Sequence, residues 1–382
     1  MLSSGNEIWR KKTTVGGKSH SRLLRILHID PERNWGGGEA QVLGLLTYLA
    51  ERGHQNELLA HPQGQLFERS QKLRVNTLPL LVRNDLDLRP VGSLRRRIRR
   101  EKYDIVHFHT NRAHALSLWL PRGKQSPKYV VTRRMDYPTG KSRYTRYLYN
   151  QRVDGVVAIS QTIAVLLAES GVDSKKIRVI YSGIDCQPFE LLAPGSQAHK
   201  EEVVVGIVAS LAARKGHRFL LEAAALLKGE GYRFKYLLAG EGALRRELEA
   251  IAASLGLIDE VRFYGFVTDT TRFLSEIDIF VLPSLHEGLG VAALEAMAAG
   301  KPVVATRVGG LAESVLDTVT GMLVLPGDVK ALAGALANLA DDPSLARAMG
   351  EKGAERVRRH FTLEQMARGN EAYYYDLLQG TN

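Results

Sequence analysis

The sequence predicts an α/β protein built as two units, each a doubly wound parallel sheet with helices on both faces. Three observations lead there. Short aliphatic and β-branched runs alternate with helical patterns along the chain, the signature of parallel strands joined by crossover helices. The runs fall into two series of similar length and spacing. Between the series lies ELLAPGSQAHKEE (Glu190–Glu202), polar and carrying Pro194 and Gly195, which reads as a linker. With 382 residues, each unit can hold its own core.

In the first series the strand candidates are Leu23–Ile29, Asn56–Ala60, Asp104–His109, Lys128–Thr132, Asp154–Ser160 and Ile177–Tyr181. In the second they are Val203–Leu211, Lys235–Gly240, Val261–Gly265, Ile277–Pro283, Pro302–Thr306 and Met322–Pro326. After Asp328 the pattern turns helical: Leu332, Leu336 and Leu339 share one face, and Ala346, Met349 and Val357 continue it. Thr362 and Gln365 form a capping-box signature for a last helix that carries Tyr373, Tyr374 and Tyr375. The expected divisions are a disordered leader (1–22), a first domain (23–189), the linker (190–202), a second domain (203–360) and a closing helix with its tail (361–382).

A single cysteine, Cys186, excludes an intramolecular disulfide and fits a reducing compartment. No apolar run approaches the ~20 residues that span a bilayer. The first 22 residues lack the apolar stretch of a secretory signal. A cytoplasmic protein is expected. Charge is unevenly placed: residues 1–190 hold 32 Lys and Arg against 17 Asp and Glu, and the remainder hold 20 against 24. A basic first half calls for a polyanionic partner, such as an anionic membrane surface, a lipid-linked phosphosugar or a nucleic acid.

The densest chemistry lies in SLHEGLGVAALEAMAAGKPVVAT (Ser284–Thr306). Glu287 precedes a Gly-Leu-Gly turn and Glu295 stands eight positions on, in an Ala-rich helical run. The N–H groups of Gly288, Leu289, Gly290 and Val291 open a helix, where backbone donors have no internal partners and bind anions. The plain alternative is a crossover unit with two surface acids.

This segment resembles the signature of the retaining glycosyltransferases of family 4, through Glu287, Gly288, Gly290, Glu295, Ala296, Met297, Ala298, Gly300, Pro302, Val303 and Val304. The resemblance runs from about residue 23 to 379. It implies the GT-B fold: two Rossmann-like domains facing across a cleft, the first holding the acceptor and the second a nucleotide-sugar, with the C-terminal helix crossing back. It also implies roles. Glu295 holds the ribose, and Glu287 serves the transferred sugar or the charge at its anomeric carbon. Lys215, before Gly216, grips the donor diphosphate. The family's upstream Arg is missing: Ser210 stands near its place, and Arg214 is the other candidate. Gly240 and Gly242 let the backbone approach the nucleotide, and Val267 lies against the base. In Trp35-Gly36-Gly37-Gly38-Glu39, Gly36 and Gly37 complete the anion site from the first domain.

His107, His109 and His114 cluster near one strand end; the two on the strand share a face, and no third close ligand is evident for a metal. His109 is a candidate acceptor residue. Where relatives carry a His after the next strand, this chain has Thr132-Arg133-Arg134-Met135-Asp136. Arg134 takes the catalytic place, with Arg133 and Asp136 as acceptor residues. No cofactor or metal is expected, and Asp85-Leu-Asp87 reads as a polar connection. Two basic stretches, Arg95–Arg100 and Lys141–Tyr149, are candidates for a peripheral seat on the inner face of the cytoplasmic membrane. The expected partners are a nucleoside-diphosphate sugar and a saccharide or lipid-linked acceptor, with no nucleic acid. The rival readings are an epimerase on the same fold and a non-enzymatic binder of membrane or nucleic acid.

Overall fold

A computed structural model describes residues 22–84, 87–136, 142–190, 192 and 202–380. The leader, apart from its last residue, and most of the linker lie outside them, as does Asp85. Two parallel sheets form the frame. The first contains β1 (Arg25–Asp30), β2 (Gln55–Ala60), β3 (Asn76–Pro79), β4 (Ile105–Phe108), β5 (Lys128–Arg133), β6 (Gly155–Ala158) and β7 (Ile177–Val179), in the order β3-β2-β1-β4-β5-β6-β7. The second contains β8 (Val203–Val208), β9 (Phe234–Ala239), β10 (Val261–Gly265), β11 (Ile279–Leu282), β12 (Val303–Thr306) and β13 (Gly321–Val324), in the order β10-β9-β8-β11-β12-β13. The strand order reverses between β1 and β4 and again between β8 and β11, and open sheets of this kind bind ligands at such reversals.

The central strands are short apolar runs because helices cover both faces; Ile279–Leu282 and Val303–Thr306 are buried at every position. β3 was not anticipated. Its four residues, Asn-Thr-Leu-Pro, are polar or half-exposed and end in proline, which only an edge strand tolerates. Asp87 is a structural carboxylate: it accepts from Arg83 N at 2.9 Å and pairs with Arg89 at 2.6 Å.

The closing helix Leu363–Gln379 returns to the first domain. Its capping box forms as expected between Thr362 and Gln365. Tyr373, Tyr374 and Tyr375 bury against Leu24, Ile26, Ile105, Val130 and Val157 on one face of the first sheet. Glu371 accepts from Arg52 and lies against His54, both at 2.8 Å, fixing the helix to the loop before β2.

Where the chain re-enters, Ile184 N donates to Phe361 O at 2.8 Å and Leu363 N to Ile184 O at 2.9 Å. Gly183 does not serve as a left-handed turn. It is glycine because a Cβ there would lie 2.1 Å from the carbonyl oxygen of Thr362. Asp185 braces the same segment by accepting from Gln187 N at 3.1 Å. Gly183→Ala is therefore expected to force these two crossings apart and to cost about 1–3 kcal/mol, the usual range for overpacking. A melting temperature equal to the parent's would remove this account of Gly183.

Candidate functional site

The second domain supplies a loop and a helix start. β11 ends at Leu282, and Ser284 follows, fully buried. Its carbonyl accepts from Thr306 Oγ1 at 2.5 Å, and its hydroxyl donates to Glu287 Oε2 at 3.2 Å. The same carboxylate oxygen is paired with Lys215 Nζ. Lys215 reaches it because Gly216, at φ +70, turns the chain beneath Pro283; a Cβ at Gly216 would stand 1.9 Å from Pro283 O. Leu285 N donates to Arg214 O at 2.7 Å and locks the two loops together. The Arg214 side chain and Ser210 are exposed.

Gly290, at φ +83, caps the helix Val291–Ala298 without a side-chain cap. Leu294 N donates to Gly290 O at 3.0 Å, opening the helix. Among the described residues no hydrogen bond takes the N–H groups of Gly288, Leu289, Gly290 or Val291. Three of these residues, Gly288–Gly290, are buried. Buried backbone donors are almost always paired, so a run of unpaired ones calls for an acceptor from outside the chain.

The first domain faces this loop directly. A Cβ at Gly288 would lie 2.2 Å from Arg134 O, and one at Gly37 would lie 3.2 Å from the Val291 side chain. Asp136 Oδ2 accepts from Glu287 N at 2.7 Å across the domain boundary. Arg134 runs alongside Gly38, with its Cδ 3.4 Å from a Cβ placed there, and its buried Nε has no partner. Arg134 thus brings its backbone to the loop at Gly288 and keeps an unsatisfied donor beside Gly38. Gly36, Gly37, Arg134, Lys215, Glu287 and Gly288–Val291 are therefore brought together.

The other expected residues lie on neighbouring elements. His109 is 2% exposed, with Nε2 3.0 Å from His28 Nδ1. Arg133 is 4% exposed and donates to Asn111 Oδ1 at 3.0 Å. Arg133 is held within the first domain, whereas His109 lines a small cavity with Arg134, Thr132 and Gln41, and its buried Nδ1 has no partner. Gly240 and Gly242 are glycine because the Ala209–Leu211 backbone crowds them: their Cβ atoms would lie 1.9 Å from Ala209 O and 2.4 Å from Leu211 O. Val267 is half-buried against the second domain's core, beyond the exposed Phe266.

Glu295 lies on the second turn of its helix, beside Thr270. Burial raises its pKa to about 7, and the Thr270 hydrogen bond opposes the shift. A second buried carboxyl, Asp30 at the end of β1, is 1% exposed. Burial first, and then the neighbouring Glu39, also raise it to about 7. Glu39 is pushed up mainly by burial, and Arg134 pulls the other way. Two carboxyls whose pKa burial raises therefore stand beside Arg134 within a basic domain. That arrangement suits hydroxyl groups better than a second phosphate.

Two histidine features went unforeseen. His28 joins His107 and His109, and ligand atoms of all three lie within 4.8 Å of one another. The sheet register explains it, since His28 on β1 pairs with His107 on β4. His107 is already bonded to Tyr374 OH at 2.6 Å and to Thr132 Oγ1 at 2.7 Å. Burial lowers the pKa of all three, and the Arg134 charge adds to that at His107 and His109. A nearby cation disfavours a dication there. The second feature is His217, which follows Gly216 and is 2% exposed with neither ring nitrogen partnered. Burial and then Lys215 lower its pKa to about 4. A histidine after Lys-Gly was the only sequence signal for it.

Comparisons with known proteins agree on one family. Residues 190–356 match the family model described as glycosyl transferases group 1, and residues 35–188 match that described as glycosyltransferase family 4. The chain is 32% identical over 344 residues to the lipopolysaccharide core biosynthesis glycosyltransferase LpsE of Rhizobium meliloti, covering 86% of this chain and 93% of that one. It is also 32% identical to the 2-deoxystreptamine glucosyltransferase of Streptomyces kanamyceticus, over 60% of this chain and 62% of that one. Among solved structures, a glycosyltransferase from Rickettsia africae superposes with TM-score 0.81 at 23% identity, covering 94% of this chain and 99% of that one. HepE of Anabaena, solved in complex with UDP-glucose, superposes with TM-score 0.78 at 20% identity, covering 92% and 99%. These likenesses fix the fold as GT-B.

The raised pKa of Glu295 has a measurable consequence. A carboxyl raised in the folded state stabilises the fold below its unfolded pKa, near 4.5, and that contribution is lost as pH rises through about 7. Glu295→Gln removes the titration. Its melting temperature relative to the parent should climb between pH 4.5 and pH 7 and then level off, for a gain of up to roughly 3 kcal/mol at about 1.4 kcal/mol per pKa unit. A difference that does not change with pH would contradict the burial assigned to this carboxyl.

Proposed function

Since the chain belongs to the family 4 glycosyltransferases, we propose that it is a retaining enzyme. It moves a sugar from a nucleoside-diphosphate donor to a hydroxyl of a saccharide or lipid-linked acceptor, in the making of a cell-surface polysaccharide, lipopolysaccharide or glycolipid. The observation that carries this reading is the set of unpaired donors at Gly288–Val291, with the first domain packed against the loop at Arg134 O and Gly37. HepE supports the donor class through its complex with UDP-glucose, and LpsE supports the pathway class.

In this reading the glycosidic C–O bond breaks with its electron pair passing to the diphosphate. The four N–H groups, the helix dipole, Lys215 and Arg134 meet the growing negative charge. The acceptor hydroxyl attacks on the face the diphosphate leaves. Its proton passes to a departing phosphate oxygen, so the anomeric configuration is kept. Glu287, fixed by Ser284 and Lys215, faces the positive charge that develops on the sugar. Glu295 accepts from the ribose hydroxyls. The acceptor lies against the Asp30–Glu39–Arg134 floor. The step uses no metal, because the fixed cations and N–H groups balance the diphosphate. Domain closure keeps water away from the activated sugar.

The basic stretches favour a peripheral seat on an anionic membrane. Arg95, Arg96, Arg99 and Arg100 are exposed on the helix Val91–Glu101, whose Val91, Leu94 and Ile98 pack inward. Tyr144 and Tyr147 are 51% and 50% exposed on the helix Arg143–Gln151. Among the described residues no helix is long and apolar enough to cross a bilayer.

Purified protein offered a panel of nucleotide-sugars is expected to release nucleoside diphosphate from one of them. Glu287→Gln, Lys215→Ala and Glu295→Ala should each lower transfer, and Lys215→Ala by about 10²–10³-fold, the usual effect of losing one preorganised donor. NMR of the first-formed glycoside should show the donor's anomeric configuration; an inverted product, or parent-like turnover by Lys215→Ala, counts against the proposal. Separately, replacing Arg95, Arg96, Arg99 and Arg100 with Gln should weaken cosedimentation with phosphatidylglycerol vesicles, each cation contributing ~1 kcal/mol. Unchanged cosedimentation would reduce that face to solvated surface.

A further inference from the structure

Glu313 belongs to the second domain, on the short helix Leu311–Ser314, yet its carboxylate is spent on the first. Oε2 accepts from Gln161 N at 2.8 Å and from Tyr181 OH at 3.0 Å. Oε1 accepts from Thr162 N and from Thr162 Oγ1, both at 2.7 Å. A carboxylate offers about four lone-pair sites, and these four donors fill them. Gln161 and Thr162 are the first two residues of the helix Gln161–Glu169. Ser160 caps that helix at Ile163 N, 3.3 Å away. Glu313 therefore takes the two leading amide groups that the helix's own cap leaves unmet, with its charge at the positive end of the dipole.

The backbone that carries Glu313 is keyed into the Glu287–Leu289 loop. Gly310 N donates to Glu287 O at 3.1 Å, and Ser314 Oγ donates to Leu289 O at 3.1 Å. Gly309 and Gly310 pass so near that Cβ atoms there would lie 1.9 Å from Glu287 O and 2.2 Å from Gly288 O. From behind, Arg356 donates to Glu313 O at 2.7 Å and to Ser314 O at 2.9 Å. The turn therefore has no room to move independently of the loop it supports.

We propose that Glu313 is a positioning residue: it registers the Gly288–Val291 amide groups against the first domain, so that residues of the first domain that never touch the donor help set its affinity. The inference rests on the reading that those amide groups hold a diphosphate. When the domains part, Gln161 N, Thr162 N and the Glu313 carboxylate lose their partners together, which favours the arrangement in which Arg134 and Gly37 face the loop.

The test uses the full chain and whichever of UDP, GDP and ADP the parent binds tightest by calorimetry. Glu313→Gln should weaken that nucleotide about tenfold, equivalent to ~1.4 kcal/mol. The first-domain pair Thr162→Val with Tyr181→Phe, which removes only hydroxyl donors, should weaken it in the same direction. The combined variant should be no weaker than Glu313→Gln alone, because both changes cut one connection. Lower melting temperatures with parent-like nucleotide affinity would make Glu313 merely structural and overturn the inference, leaving the diphosphate site intact. A parent that binds none of the three nucleotides would remove the site itself, and the inference with it.

Discussion

Backbone amide groups buried without an acceptor are expensive, and a run of them at Gly288–Val291 is the constraint around which the rest of the molecule is arranged. The left-handed Gly290 creates the helix mouth, and Gly216 brings Lys215 beside it. The first domain then closes over the mouth with glycines where side chains would collide, and with one arginine whose own donor is unmet. A hydrophobic plug would satisfy none of these groups. A small polyanion would supply acceptors for the amide groups.

The electrostatics divide by depth. The first domain is basic in composition, but its buried Arg134 stands beside two carboxyls. Asp30 and Glu39 are both pushed up by burial, and Arg134 is pulled down by it while the two acids push back. Such a trio is costly to assemble and poorly neutralised by itself. Of the three, Asp30 has its pKa raised to about 7 and so exchanges its proton near neutral pH.

Most of the architecture was legible because it is written in local pattern. Apolar runs such as Phe280–Leu282 and Val303–Thr306 can only be central parallel strands, and the capping box at Thr362 marked the last helix. β3 was invisible because an edge strand needs neither burial nor β-branched residues, and Asn-Thr-Leu-Pro resembles a turn. The donor loop was legible because its glycines and acids are contiguous. His28, Asp30 and Glu313 were not, because their significance lies in partners far away in sequence. His28 meets His107 through strand register, and Glu313 meets Thr162 across 151 positions. His109 and Arg133 were read as acceptor residues; their contacts with His28 and Asn111 join separate segments of the chain and leave no local signal. Glycine was ambiguous throughout: Gly240 and Gly242 are required by their own domain's backbone, whatever else approaches them.

The return of Leu363–Gln379 to the first sheet has a consequence for how such a protein can be recombined. The first domain is encoded in two stretches separated by the whole of the second, and its face of Ile26, Ile105, Val130 and Val157 is finished only by Tyr373, Tyr374 and Tyr375. A chimaera joined at a single point near residue 202 would import a foreign lid for that face along with the foreign second domain. Exchanging the second domain between relatives therefore requires two junctions, the second before Thr362, so that each first domain keeps the tyrosines it was fitted to.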